Sequence, residues 1–598
     1  MKLSDYVFQF IAQQGVKHVF MVAGGGAMHL NDSSGHCPGV EYVCNLHEQA
    51  AAMAAETYGK VSESLGVAIV STGPGGTNAI TGTAGAWLDS TPCLFISGQV
   101  KRSDMIGDTG VRQMGVQELD IVAIVKSITK HAVTVMDPTA IRYHLEKAVW
   151  LARTGRPGPV WIDIPLDVQG SQIDPALLKG FDPCELDAAP VSSNVHSQVA
   201  QTIQLLNAAK RPILLIGNGV RLAGAKREMR ELVQRLGVPV LLTWLAHDLL
   251  PEAHELLVGR PGPVAPRGPN FALQNSDWLL TLGARLDMVL TGYAHDRFAR
   301  AANKIMVDID PTEIRKMKTP IAVPVCADAK VFIQELLRQS EQIASRDRSD
   351  WTTRCRAWKT KYPVVLPEYR AQKLVSTYVL TDVLSDELTG DDVIVSGSAG
   401  TGIEIFLLAL RVKEGQRVLV TTALGAMGYG LPAGIGACLA SGRKRTVCVD
   451  GDGGIQLNIQ EFETIARLKL PIKLFVLNNQ GYSSIRTSQT RYFGRLTGAD
   501  AGSGLTLPPL KKVAAAYGLS TAHIADQTDL RRQVRAVLES PGPVVCEVMV
   551  RPDEPRAPSL SSAQRADGSM VSKPLEDLWP FLDRQEFFSN MLIPPLEE

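Results

Sequence analysis

"KRTVCVDGDGGIQLNIQEFETIARLKLPIKLFVLNNQGYSS", residues 444–484, is the stretch on which the fold turns. The run to Asp450 reads as a buried strand and ends in Gly451-Asp452-Gly453-Gly454. A helical stretch from Asn458 follows, and a second apolar run (471–477) ends in Asn478-Asn479. Strand, turn, helix, strand predicts a parallel sheet covered on both faces. Both motifs then lie at the carboxyl ends of strands, where open parallel sheets take ligands. Gly and Asp are ordinary turn residues, so GDG alone would be no more than a turn.

The same alternation extends outward. "GRPGPVWIDIP" (155–165) and "ESPGPVVCEVMV" (539–550) each set PGPV before an extended apolar run. The repeat points to two domains of similar α/β build, each closing with the same edge element. Between them, "RPILLIGNGVR" (211–221), "VPVLLTW" (238–244), "SDWLLTLGARLD" (276–287) and "NKIMVDIDP" (303–311) give four strands of a third α/β segment. The expected fold is α/β: three doubly wound parallel-sheet domains at 1–170, 190–340 and 370–550. A Pro/Ser-rich segment, 551–598, ends in aromatic "LWPFLDRQEFF", which favours docking near a site. Breaks are expected at 170–190, rich in Asp and Pro, and at the polar stretch 340–352.

At 598 residues the chain is too long for one core. Lys+Arg and Asp+Glu are both 61, so no basic surplus argues for nucleic acid or an anionic membrane. Nine cysteines without a CxxC read as reduced thiols of a cytoplasmic protein. No apolar run approaches the ~20 residues of a membrane helix. The N-terminus reads as a helix with Leu3, Val7, Phe10 and Ile11 at helical spacing, capped by Ser4 or Asp5, and not as a signal peptide.

The glycines of the opening stretch admit a ligand to the backbone, but Asp452 would repel a bare phosphate. A divalent cation resolves the conflict. Mg²⁺ takes oxygen ligands octahedrally and commonly joins one or two protein groups to substrate phosphates. Asp452, the Asn479 amide oxygen and a main-chain carbonyl near Gly481 form the candidate set.

GDG, 24 residues (454–477), then NN resembles the signature of thiamin diphosphate (ThDP) enzymes, and the resemblance covers nearly the whole chain. "HEQAAAMAAETYGKV", "STGPGGTNAITG", "TPCLFISGQV" and "GAMGYGLPAGIGA" are similar to the acetohydroxyacid (acetolactate) synthase branch, in its order. The resemblance implies a pyrimidine-binding N-terminal domain, a central Rossmann-like domain and a diphosphate-binding C-terminal domain. It implies Glu48 as the catalytic glutamate that activates the cofactor, Gln117 as the active-site glutamine and Met427 as the apolar support of the bent cofactor. Gly25, Gly73, Pro74, Gly75, Asn78, Ala399, Gly400, Thr401, Gly425, Gly451, Asp452, Gly453, Gly454, Asn479, Gly481 and Tyr482 are the implied ThDP contacts. For FAD, which this branch holds in the middle domain, the candidates are Gly217, Gly219, Arg221, Gly283, Arg285, Asp308 and Asp310.

Departures from the branch gather on the acceptor side. Ser488 stands where a tryptophan is usual, with Ser484 and Ile485 nearby. Val116 replaces a phenylalanine, Leu46 an arginine, Thr401-Gly402 the usual Gln-His, and His29 an aliphatic residue. Small or polar groups for bulky apolar ones imply a roomier acceptor site, with His29 as a candidate donor. The expected activity is decarboxylation of a 2-oxoacid, pyruvate foremost, and ligation of the acyl unit to a second oxoacid, a ketone or a keto-sugar, as in the yersiniose-type carboligases. An FAD-linked 2-oxoacid oxidase or C–C hydrolase on the same scaffold is the alternative, and an inactive cofactor-binding regulatory subunit a remote one. The family pairs its domains between chains, which implies a homodimer or homotetramer.

Overall fold

A computed structural model describes residues 1–186, 194–398, 400–564 and 570–596, with the side chains of 401, 563, 564 and 570 excepted. The chain forms two compact units, Met1–Asp187 with Asp391–Ile403 and Arg417–Asp553, and Ala188–Gly390 with Glu404–Gln416 and Glu554–Glu598. No helix among the described residues is long and apolar enough to cross a membrane.

The first unit holds two six-stranded sheets. One comprises β1 (His18–Met21), β2 (Glu41–Cys44), β3 (Gly66–Val70), β4 (Cys93–Gln99), β5 (Ala132–Thr134) and β6 (Val160–Pro165). A sheet of the second unit comprises β7 (Pro212–Ile216), β8 (Val240–Leu242), β9 (Leu257–Gly259), β10 (Trp278–Leu282), β11 (Asn303–Asp308) and β12 (Val323–Cys326). The other sheet of the first unit comprises β13 (Val393–Ser396), β14 (Arg417–Leu419), β15 (Thr446–Gly451), β16 (Ile472–Asn478), β17 (Ser520–Ile524) and β18 (Val544–Met549). Neighbours in all three are parallel, and the inner strands are almost wholly buried and largely apolar, as a parallel sheet covered on both faces requires, while the edge strands β2, β5, β12 and β17 are partly exposed.

The sheets of the first unit run β2-β1-β3-β4-β6-β5 and β14-β13-β15-β16-β18-β17, one order used twice. The PGPV strands are β6 and β18, so the repeated phrase does mark equivalent elements. They are not edge strands, however. Each pairs on both sides, with β5 or β17 lying outside it. The middle sheet runs β12-β11-β10-β7-β8-β9, the reversed-halves order of dinucleotide-binding folds.

Two boundaries differ from expectation. The first helix spans Leu3–Gln13 and starts after Lys2 with no side-chain cap, so neither Ser4 nor Asp5 serves as one. The polar stretch expected as a linker at 340–352 runs into a helix, Ser349–Lys361, whose Trp351, Cys355 and Trp358 are buried. Part of the expected break at 170–190 lies outside the described residues. The C-terminal segment docks on its own unit. Arg267 and Asn270 donate to the Leu578 and Leu575 carbonyls at 2.9 and 2.7 Å, and Leu575 and Phe587 join the apolar cluster around Phe271 and Trp358.

Inside the first unit, helix Glu48–Ser62 lies against helix Gly430–Ala440. Contact is so close that a Cβ on Gly436 would stand 2.1 Å from the Ala54 carbonyl oxygen. Alanines on one helix and glycines on the other permit it.

Candidate active site

In the order used twice, the chain reverses its progress across the sheet between the first and third strands, and ligands bind beyond the carboxyl ends there. In the C-terminal sheet those ends are β13, followed by Gly397 to Gly400, and β15, followed by Asp452. Asp452 is buried. Its Oδ1 accepts the Gly453 amide (2.9 Å) and its Oδ2 the Gly481 amide (3.1 Å), which ties the β15 turn to the β16 turn. Burial pushes its carboxyl up to about 6, against the pull of the Gly481 and Gly453 amides. A cation alongside would hold it ionised.

The two asparagines divide the work. Asn478 builds the turn: its Oδ1 accepts the Gln480 amide (3.1 Å) and its Nδ2 donates to Glu547 (2.9 Å). Asn479 donates to Ser483 Oγ (3.2 Å), while its Oδ1 is buried with no hydrogen-bond partner. An orphaned buried acceptor is costly and marks where a donor or cation belongs. Among the described residues no cluster of three His, Cys, Asp or Glu could hold a metal, so a cation here would join the single Asp452 carboxylate to amide and main-chain oxygens. Asp452 and Asn479 fit Mg²⁺ in this way. Gly481, at φ +126°, has its Cα 's missing Cβ direction filled by the Ala499 carbonyl, 2.3 Å from where a Cβ would be. Tyr482 lies against Gly453, whose Cβ would meet its ring at 2.4 Å.

Sequence reasoning passed over Asp450, the first aspartate of the motif. It lies beneath the turn, its Oδ1 accepting the Gly451 amide at 2.8 Å, and burial pushes its carboxyl up to about 7. A Cβ on Gly397, Gly430 or Gly454 would stand 2.2, 2.3 or 2.7 Å from its oxygens. Those glycines exist to admit Asp450; their recurrence in the sequence was the available signal.

The N-terminal sheet repeats the geometry. β1 ends before Gly24-Gly25-Gly26 and β3 before Ser71-Thr72-Gly73. Ser71 Oγ accepts the Gly26 amide at 3.1 Å, closing the crevice on one side. Glu48 opens its helix, and its Oε2 accepts the Asn78 amide at 2.9 Å. Gly75 approaches the same carboxylate, its Cβ position being 3.7 Å from Oε1. Gly73 (φ +62°) starts helix Pro74–Asn78, and a Cβ on it would stand 2.4 Å from the Gln117 carbonyl. Glu48, Gly73, Pro74, Gly75, Asn78 and the Gln117 carbonyl therefore come together at this end of the sheet.

Residues 1–124 match the N-terminal TPP binding domain of thiamine pyrophosphate enzymes, 199–336 the central domain and 401–548 the C-terminal TPP binding domain. The chain is 33% identical to acetolactate synthase 2, chloroplastic, of Nicotiana tabacum, over 94% of this chain and 84% of that protein. It is 31% identical to the acetolactate synthase isozyme 1 large subunit of Escherichia coli K12, over 92% of this chain and 94% of that one. The chain belongs to the thiamine pyrophosphate enzyme family. It is an acetolactate synthase-like, ThDP-dependent enzyme of that family.

The remaining candidates of this ThDP enzyme lie on several different turns and helices. Met427 is half-buried between Gly425 (φ +63°) and Gly428 (φ +84°), in the turn before helix Gly430–Ala440. Gly400 precedes helix Thr401–Ala409; Ala399 and the Thr401 side chain lie outside the described residues. Gly25 is exposed, in a short turn after β1, and the His29 ring rests against Gly170, whose Cβ would meet Nε2 at 2.9 Å. Val116 is 86% exposed and Ile485 40%, with Ser484 half-buried and Ser488 exposed on helix Ser483–Phe493.

In the middle sheet, Gly217 and Gly219 follow β7 and Gly283 and Arg285 follow β10, at the reversal of strand order; Asp308 is the last residue of β11 and Asp310 lies just beyond it. Both Gly217 and Gly219 press on Gly283, with Cβ positions 2.1 and 2.6 Å from its atoms. Arg221 is turned inward, 2.5 Å from Asp248. Asp308 accepts the Asp310 amide (2.9 Å), and Asp310 caps the helix Pro311–Arg315.

Proposed function

We propose that this ThDP enzyme decarboxylates a 2-oxoacid, pyruvate first, and ligates the acyl unit to a carbonyl acceptor. The observation that carries the cofactor half is the orphaned Asn479 Oδ1 beside Asp452. That pair suits one Mg²⁺ bridging a diphosphate, and the N-terminus of helix Thr401–Ala409 adds an anion-binding end beyond β13. When bound, ThDP would supply an electron sink for decarboxylation. Glu48, whose Oε2 accepts the Asn78 side-chain amide, would hold and exchange the proton that activates the cofactor. Met427 and the Gly73–Gly75 turn would shape the cofactor's bed, with Gln117, whose carbonyl packs against Gly73, as the residue beside it.

The ligase half rests on the acetolactate synthases, similar over most of their length, and on the open acceptor side. Val116, Ser484, Ile485 and Ser488 offer little apolar cover, which favours an acceptor larger than pyruvate. His29 belongs to the same reading, as a donor to the acceptor carbonyl, and His29→Ala is expected to slow ligation more than decarboxylation. FAD is part of the proposal on one ground, the middle sheet's dinucleotide-binding strand order with its candidate glycines and acids at the reversal; a flavin spectrum of the purified protein tests it. Leu46 and Met114, near Glu48 and Gln117 in sequence, are exposed apolar groups, which supports burial against a second copy in a homodimer or homotetramer.

The deciding experiment incubates the ThDP–Mg²⁺-loaded protein with pyruvate and a panel of oxoacids, ketones and nucleotide keto-sugars. Release of CO₂ with an acyl-extended product by mass spectrometry is expected; acetate with hydrogen peroxide would instead identify an oxidase.

A further inference from the structure

We propose that Asp163, Gln99 and Thr72 form a positioning relay that fixes Gln117 on its loop. The relay rests on the reading of Gln117 as an active-site residue. Asp163 is buried in the middle of β6. Its carboxylate accepts Ser97 Oγ at 2.5 Å, Gln99 Nε2 at 3.1 Å and Thr134 Oγ1 at 3.2 Å. Ser97 in turn accepts the Trp161 indole N–H at 2.8 Å, so its own hydrogen goes to Asp163.

Gln99, buried at the end of β4, passes the constraint on. Its Nε2 also donates to the Leu119 carbonyl at 2.9 Å, and its Oε1 accepts the Val100 amide at 3.0 Å and Thr72 Oγ1 at 2.7 Å. The Thr72 hydroxyl lies 3.1 Å from the Gln117 carbonyl, so its one hydrogen is shared between Gln99 and Gln117. The path runs from β6 through β4 to the end of β3 and out to a residue held at φ +64°, a conformation costly for glutamine. Glycine at 73 admits the Gln117 carbonyl. Gln99 thus grips the loop twice, at Leu119 directly and at Gln117 through Thr72.

An aspartate suits the base of this relay because all three groups facing it can donate. An asparagine would turn an N–H toward one of them. Rotating Gln99 to compensate would set its NH₂ against the Val100 N–H and withdraw the oxygen that Thr72 uses. The carboxylate therefore dictates which end of Gln99 faces Thr72. None of the three residues touches Glu48 or Asp452 through a described hydrogen bond, so the relay acts on Gln117 geometry and not on cofactor binding.

The test measures kcat and KM for CO₂ release and for ligation, with thermal unfolding, in Thr72→Val, Thr72→Ser and Asp163→Asn. Thr72→Val is made again in a Gln117→Ala background. Thr72→Val is expected to lower kcat for ligation roughly tenfold, since small misplacements of reacting groups are costly, with KM for the 2-oxoacid and ThDP affinity unchanged. Thr72→Ser should restore the rate, Asp163→Asn should share the kcat loss, and Thr72→Val should add nothing once Gln117 is alanine. An equal loss in both backgrounds would mean general destabilisation and overturn the relay. So would full activity of Thr72→Val beside an impaired Gln117→Ala. A fully active Gln117→Ala would remove the role of Gln117 itself, and the relay with it.

Discussion

The Glu461 carboxylate accepts the backbone amide of Leu46 at 2.9 Å, two residues before Glu48. It also accepts Asn45 Nδ2 at 2.8 Å and Thr464 Oγ1 at 2.7 Å, and it is fully buried. Glu461 ends the short helical turn that follows GDGG, so the strand-end motif and the loop before Glu48 are clamped within one chain. Glu461→Ala strands the Leu46 amide and Asn45 in the interior. It is expected to lower kcat for CO₂ release by ~10- to 100-fold through a misplaced Glu48. Glu461→Gln keeps one acceptor for Leu46 and should stay within a few-fold of wild type. Equal activity of the alanine variant and wild type, in steady-state assays of folded protein, would remove the clamp from the mechanism.

Asn479→Ala separates cofactor binding from folding. The Asn479 oxygen has no protein partner to lose, and its amide makes one long bond to Ser483. The variant should unfold within a degree or two of wild type as apoprotein, while Mg²⁺-dependent ThDP affinity falls at least tenfold by titration calorimetry. Asp452→Ala should abolish that retention, because the diphosphate loses its bridging cation. Unchanged cofactor affinity in both would reduce GDG and NN to turns.

The Glu48 prediction is chemical. Glu48→Gln keeps an acceptor for Asn78 but cannot exchange a proton, so ThDP binding should persist while turnover drops by ~10²-fold or more. Near-normal CO₂ release by that variant would place the proton elsewhere.

Much of this was legible along the chain, because strand ends and glycine turns are local patterns. The 444–484 stretch contains its own βαβ unit, and β15, β16, Asp452 and Asn479 fall where its pattern puts them. Glu461 was not legible, since its partners Asn45 and Leu46 lie 416 and 415 residues away. Strand order was hidden for a related reason. Which parallel strand lies outside β6 or β18 depends on a crossover, and nothing in PGPV encodes it. The helix at Ser349–Lys361 did carry a signal, with Trp351, Cys355 and Trp358 at helical spacing, but its polar composition reads first as linker.

Asp163 gives a pH prediction with a definite sign. Burial raises its carboxyl from the ordinary 3.8 to about 6, while its bonds from Ser97, Gln99 and Thr134 oppose the rise and Asp120 adds to it. The folded state therefore holds a proton that the unfolded chain releases near pH 4. Stability falls as pH rises from about 4 to about 6, by on the order of 3 kcal/mol at ~1.4 kcal/mol per unit. Asp163→Asn lacks this loss, so its Tm relative to wild type should be more favourable at pH 7 than at pH 4. A Tm difference independent of pH would show that Asp163 titrates as an ordinary carboxylate.

The acceptor side is where this chain departs most from the branch it resembles, and Ser488 offers the sharpest test. Its hydroxyl makes one described hydrogen bond, to the Ile485 carbonyl at 3.1 Å, and the residue is exposed on helix Ser483–Phe493. A tryptophan there has room within the chain, so Ser488→Trp should fold with an unchanged Tm and retain ThDP. If helix Ser483–Phe493 borders the acceptor, the added ring restores apolar wall and removes volume. Each methylene of apolar contact discriminates by only ~1–3 kcal/mol, but steric exclusion of a bulky ketone has no such ceiling. Ligation to large ketones is therefore expected to fall at least tenfold, with pyruvate decarboxylation and ligation to a second pyruvate spared. Competition between the two acceptors in one vessel, read by mass spectrometry, measures the shift directly. A product ratio unchanged by Ser488→Trp would move the acceptor pocket off this helix.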